Sequence, residues 1–217
     1  MDALRKEHNR YKSALIEKCV TRPGLTVLDC GCGRGGDWLK WKKVRAHVTA
    51  VDPDPESLQE AVRRANVHGV RSVCIHEGDI RHVTSGVFDA VCYNFSIHYI
   101  RDTLDESVRA IARRTKLGGL LFGITPDADR ITSFVSPDAL GNSVTPDGPD
   151  HALVRLVDGP FYNGQARREP LITRDILVHA LARWFVLVEW SPMCPVPTGL
   201  VSDIYSTFVF RRKNVPP

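Results

Sequence analysis

Several things are scarce in this 217-residue chain, and each scarcity excludes a class. No apolar run approaches the roughly 20 residues of a membrane-spanning helix, and the opening MDALRKEHNRYK carries charge where a secretion signal would be apolar. An intracellular protein with no membrane partner is expected. Cysteine is limited to positions 19, 30, 32, 74, 92 and 194, of which 30, 74 and 92 fall in or beside apolar strand-like runs, where a reduced thiol acts as a small hydrophobe. Cys30 and Cys32 form a C-x-C with no second Cys/His pair at finger spacing, so no metal site is expected. Neither sign of charge dominates: 29 Lys and Arg against 25 Asp and Glu leave +4, a mild lean toward an anionic partner. Repeats and low-complexity tracts are absent, and 43% hydrophobic with 25% charged residues is ordinary for a globular chain.

What is present is an alternation. After an amphipathic helix over residues 1–20 and the breaker TRPG, apolar strand-like runs (LTVLDC, HVTAVD, RSVCIHEGD, FDAVCYNF, GGLLFGIT) alternate with helical patterns (GDWLKWKKV, DPESLQEAVRRAN, LDESVRAIARRT). This grammar predicts an α/β fold: a Rossmann-like, seven-stranded, mostly parallel sheet with helices on both faces and an antiparallel C-terminal strand. The length suits a single domain over 1–217. Residues 126–172 form a loop-rich insertion: 126–150 reads as loop around a short helix near 127–135, with prolines at 126, 137, 146 and 149, and HALVRLVDG and PFYNGQARREPLI read as short strands. A helix at TRDILVHALARW, capped by Thr173, and strands WFVLVEW and DIYSTFVFRR complete the chain.

Gly31-x-Gly33-x-x-Gly36 satisfies the dinucleotide fingerprint, and Asp52 ends the second strand about where a ribose-binding acid belongs, so an NAD-dependent reductase is one reading. Three acids favour a different ligand. Asp29 before the first glycine suits a group with ammonium character. Asp37, placed in the first helical turn, would favour the helix dipole and compete with a phosphate. Asp79, ending the third strand, could read an adenine amino group, although an Asp there also caps turns. Together they describe a site for S-adenosylmethionine. NFSIHY, following the fourth strand, brings Phe95, His98 and Tyr99 to the same crevice, where open sheets keep their ligands.

HNRYKSALI (8–16), VLDCGCGRGGDWLKWKK (27–43) and NFSIHYIRDTLDESVRAIARRTKLGGLLFGITPD (94–127), with weaker pieces REPLI (168–172) and SDIYSTFVF (202–210), resemble the mRNA cap guanine-N7 methyltransferases. That resemblance implies an enzyme that uses S-adenosylmethionine to methylate the guanine cap of RNA, possible partners in a capping complex included. It implies a cofactor set of Lys12, Gly31, Gly33, Asp52, Asp79, Ile80, Asn94 and Tyr99. The implied cap-binding set is Arg34, Lys40, Arg64, Phe95, His98, Glu169 and Tyr205, with three cations for the triphosphate, a carboxylate for guanine N1 and N2, and rings for the flat base. His98 and Tyr99 position and do not act as bases. The chain departs from the family pattern at His8 and Asn94, where the family has Asn and Gln, and at Arg34, where it has Lys. The competing readings are another methyltransferase of the same fold, the reductase, and a catalytically silent RNA-binding subunit. The last would show an eroded glycine loop or loss of Asp52 and Asp79, and neither is eroded.

Overall fold

The computed structural model describes residues 3–70, 73–157 and 164–214. A helix α1 (Ala3–Cys19) precedes five strands, β1 (Thr26–Cys30), β2 (His47–Asp52), β3 (Val73–Glu77), β4 (Phe88–Asn94) and β5 (Thr115–Pro126). Helices α2 (Trp38–Val44), α3 (Pro55–Val67) and α4 (Leu104–Arg114) connect them. Helix α5 (Ala128–Ser133) leads into three short strands, β6 (Ser143–Pro146), β7 (His151–Arg155) and β8 (Ala166–Pro170). Helix α6 (Arg174–Leu181), β9 (Phe185–Pro192) and β10 (Tyr205–Arg212) follow.

Seven strands form one sheet in the order β3-β2-β1-β4-β5-β10-β9. The first five run parallel, and β10 is antiparallel to both β5 and β9, so the expected architecture is present. Period-two alternation divides the apolar residues between two cores. Val27, Ala90, Cys92, Phe122 and Ile124 face one core with Ile16, Trp38 and Trp41 of α1 and α2. Leu28, Val91, Tyr93, Leu121 and Phe208 face the other with Ile111 of α4 and Leu177 of α6. The chain leaves β1 toward one face and β4 toward the other, so the order reverses between these neighbours and opens a crevice at their carboxyl ends.

Local chemistry explains the boundaries. Asp54 caps α3 by accepting from the Glu56 and Ser57 amides, with Pro55 as first helical residue, and Thr173 caps α6 by accepting from Ile176 N. Gly123 lies in β5 where a Cβ would come within 1.9 Å of the Tyr93 carbonyl oxygen, so only glycine lets β4 and β5 pair there.

Three expectations are corrected. The stretch 126–150 is not only loop around a helix: Ser143–Pro146 is a strand, and β6-β7-β8 make a second antiparallel sheet. The strand expected over 160–172 begins, within the described residues, only at Ala166, and its portion at 160–163 lies outside them. Cys74 does not act as a buried hydrophobe, because β3 is an edge strand and leaves the thiol exposed, while Cys30 and Cys92 are buried as expected.

Candidate active site

The loop after β1 is tied to β2 by backbone bonds from Gly31 N and Cys32 N to Val51 O. Gly31 sits at φ 75°, and a Cβ on it would lie 2.5 Å from Ser96 Cβ. Glycine there therefore serves two needs at once, the left-handed turn and the close approach of the segment after β4. Ser96 Oγ donates to Cys30 O at 2.7 Å, which locks the two loops together. Asp52 turns one carboxylate oxygen to Gly33 N at 2.8 Å and the other to Asp54 N at 3.0 Å. It lies within the crevice, beside the glycines. Asp79 is the cap of a short 3-10 turn and grips Arg81 through two oxygens, and that hydrogen bonding holds its carboxyl below the usual range. Ile80 is buried in the core next to it.

Beneath the glycine loop lies a buried charge cluster that the sequence reading misassigned. Asp37 makes no cap bond to α2; its Oδ1 sits 2.7 Å from Lys12 Nζ and 2.8 Å from Lys40 Nζ, and its Oδ2 accepts from Asn94 Nδ2 at 3.1 Å. Burial alone would raise this carboxyl, but the two ammonium groups win and hold it far below the ordinary carboxylate range. Lys40, expected on a triphosphate, also donates to Asn9 Oδ1 and Gly36 O, so all three of its protons have partners inside the protein. Asp29 does not look into the crevice for an ammonium group either. It is 3% exposed and accepts from Trp41 Nε1 at 2.9 Å, and burial followed by the Asp37 charge pushes its pKa up to about 7.

The shift of Asp29 has a consequence for stability. Its folded-state pKa lies above the roughly 3.9 of an exposed aspartate, so its contribution is full below pH 4, declines as pH rises through 7, and is then lost. Asp29→Asn keeps an acceptor for Trp41 without the charge. The variant is expected to melt higher than the wild type at pH 8 and no higher at pH 5, and equal shifts at both pH values would contradict the assignment.

The second constellation gathers as the sequence suggested. Phe95 leaves β4 in the left-handed region, φ 63°, its amide held by Ile124 O at 2.8 Å. For a bulky residue that conformation is strained, and it turns the ring toward the cleft rim. Tyr205 meets Phe95 edge-on with centroids 4.8 Å apart. His98 is 4% exposed, packs on Tyr99 at 4.2 Å, and places Nε2 3.7 Å from Glu169 Oε2. Glu169 reaches the cleft because β8 pairs with β7 through Ala152, putting it on the buried face of the small sheet. Its carboxylate lies by two hydroxyls. The Tyr99 hydroxyl, raised by burial and by a hydrogen bond to Glu169, is one; the Tyr205 hydroxyl, raised by burial and by the Glu169 charge, is the other. Arg101 bonds to both Leu171 O and Asp150 Oδ1, which fastens the 3-10 segment carrying His98 and Tyr99 to the insertion carrying Glu169.

Of the three expected cations, Arg64 is held by Glu60 at 2.6 Å and Lys40 by Asp37, while Arg34 lies on the glycine loop itself. Two residues were missed. His8 stacks on Phe95 at 5.1 Å and 23° and meets Tyr205 edge-on, with Nε2 3.0 Å from Ser202 Oγ, so the third ring of the cluster comes from α1. Arg167, exposed on the same face of β8 as Glu169, sets its charge against the upward shift of Tyr99; strand alternation from Glu169 could have found it.

Residues 27–119 match the family described as "Methyltransferase domain". The chain is 34% identical over 165 residues to an mRNA cap guanine-N(7) methyltransferase of Eremothecium gossypii, an alignment covering 65% of this chain and 38% of that one. It spans well under half the length of the curated relatives it matches. Among solved structures it superposes on a protein from Pyrococcus horikoshii OT3 with TM-score 0.73 at 17% identity, covering 98% of this chain and 92% of the other. An S-adenosylmethionine-dependent methyltransferase from Clostridium acetobutylicum gives TM-score 0.66 at 18% identity, covering 96% and 92%. The chain thus has a Rossmann-like methyltransferase fold, and over about two thirds of its length its sequence is similar to that of the mRNA cap guanine-N(7) methyltransferases.

Proposed function

We propose that this chain transfers a methyl group from S-adenosylmethionine to N7 of the guanine cap of RNA. The observation that carries the reading is the juxtaposition at one sheet edge of a glycine loop and a buried carboxylate, Glu169, ringed by Phe95, His98, Tyr99 and Tyr205. The relatives' names point to the same chemistry.

The cofactor side of the crevice fits its ligand. Asn94 Oδ1 is buried and has no hydrogen-bond partner among the described residues, while its amide nitrogen is pinned by Asp37. An acceptor so fixed matches the ammonium of a methionine moiety. Lys12 and Asp37 set the orientation of Asn94, the backbone at Gly31 and Gly33 allows close approach, Asp52 accepts from ribose hydroxyls, and ionised Asp79 accepts from the adenine amino group. Tyr99 closes the end nearest the base. When bound, S-adenosylmethionine supplies an electrophilic methyl on a positively charged sulfur.

Guanine N7 has an in-plane lone pair and no proton, so attack in line with the sulfur needs no general base. As the new bond forms, positive charge passes to the purine ring. Glu169 accepts from guanine N1 and N2, and its negative charge stabilises the ring as it becomes cationic. The base packs against the ring cluster of Phe95, Tyr205 and His8. Arg34 and Arg167 flank the phosphates. Holding the two reacting atoms in line is worth roughly 7–11 kcal/mol when geometry is good.

Two experiments test this reading. Calorimetric titration should show S-adenosylhomocysteine binding and no NADH binding; the reverse result would establish the reductase. His98→Ala should lower kcat without removing a limb of the pH profile, because His98 orients Glu169 and the base. Loss of one limb would make His98 a proton acceptor.

A further inference from the structure

The cleft occupies the carboxyl ends of the strands. At the opposite edge, where β1 and β2 begin, the surface has two open concavities of about 410 and 350 Å³ that share Pro23 and Arg45. Lys42 and His47 line one, and Arg22, Lys43 and the acid Glu17 line the other. Among the described residues no carboxylate pairs with Arg22, Lys42 or Arg45. Lys42 donates only to His68 O, and of the four cations Lys43 alone is neutralised, by Glu17 at 2.7 Å. Arg22, Lys42 and Arg45 thus bring three uncompensated charges to the place where the two concavities meet.

Arg45 supplies an independent observation. It ends α2 in the left-handed conformation, φ 55° and ψ 40°, the position at which helices select glycine. Gly24 N bonds to its carbonyl, and its amide bonds to Lys42 O, so the backbone there needs no side chain at all. A long cationic side chain at a position that disfavours it, where it lines both concavities, is explained by what it binds.

We propose that this groove binds the phosphodiester backbone of single-stranded RNA downstream of the cap, without regard to sequence. The proposal rests on the reading that the chain acts on capped RNA. Concave shape favours a flexible polyanion over a lipid surface, because a plane cannot reach the groove floor whereas a strand can follow it. Contacts of this kind add affinity that falls steeply with salt.

The test uses the whole chain and a single-stranded RNA long enough to run from the cleft to the far edge of the sheet, capped and uncapped, with binding followed by fluorescence polarisation across salt concentrations. Arg45→Gly is expected to unfold no earlier than the wild type, to bind both RNAs several-fold more weakly, and to show a salt slope shallower by about 0.7, the value for one lost phosphate contact on a single strand. Lys42→Glu combined with Arg45→Glu should weaken binding at least about tenfold, while KM for a capped dinucleotide stays unchanged. Wild-type affinity and slope in both variants would overturn the proposal. So would polyglutamate binding as tightly as RNA, or an equal loss with the dinucleotide. Should the wild type methylate no capped substrate, the functional reading fails, and the affinity and salt slope of uncapped RNA still decide the groove.

Discussion

Asp37→Asn is expected to lower the stability of the chain by about 3–5 kcal/mol, the typical consequence of removing one partner from a buried ion pair. Two lysines converge on this one carboxylate, with side chains only 16% and 11% exposed, so the amide would leave both cations without compensation in a poorly hydrated place. Against a total stability of about 5–15 kcal/mol, that loss is large. The same change releases Asn94, whose amide nitrogen Asp37 holds, so binding of S-adenosylhomocysteine should weaken even at temperatures where the variant is folded. Denaturant unfolding and calorimetry check the two parts separately. A loss under about 1 kcal/mol, the range of an exposed pair, would mean that the cluster is hydrated and not a structural keystone.

Glu169→Gln addresses the other half of the cleft. The carboxylate is 6% exposed and lies against His98, Tyr99 and Tyr205, so a glutamine of nearly the same shape keeps the packing and removes the charge. Hydrogen bonds to a charged group are worth about 1.5–3 kcal/mol, and the cationic ring formed on methylation loses its counter-charge as well. A fall in kcat/KM for capped substrate of about 10- to 100-fold is expected, with affinity for S-adenosylhomocysteine unchanged. Equal damage to both ligands would show that Glu169 supports the fold of the cleft and does not read the base.

The sheet was legible because its signal is local: apolar runs of strand length alternate with helical periods, and Asp52, Asp79 and Asn94 could be placed at strand ends by counting. The charge cluster was not, because nothing in the sequence near Asp37 says that Lys12, in a different helix, will reach it, nor that Trp41 will turn its indole to Asp29. Asp29 was therefore assigned to a ligand and Asp37 to the helix dipole, when the partners of both are protein side chains. Strand β6 escaped notice because four residues, SVTP, among prolines and aspartates carry too little alternation to stand out, and pairing with β7 makes the strand. Cys74 was misjudged for a related reason: a period-two pattern reports faces, and it cannot tell an edge strand from an interior one. The ring cluster was half legible. Phe95 and Tyr205 stood out as aromatics in the matching blocks, whereas the stacking of His8 on Phe95 requires α1 to lie across the cleft mouth.

The central claim is that a methyl donor and a capped guanine meet in one cleft of this chain. The direct measurement is transfer of labelled methyl from S-adenosylmethionine to GpppA and GpppG by the purified chain, with ATP and uncapped RNA as controls and the methylated position identified in the product. The account predicts label on guanine N7 of both dinucleotides and none on the controls. Label on any other atom, or transfer to ATP as readily as to the capped dinucleotides, would contradict it.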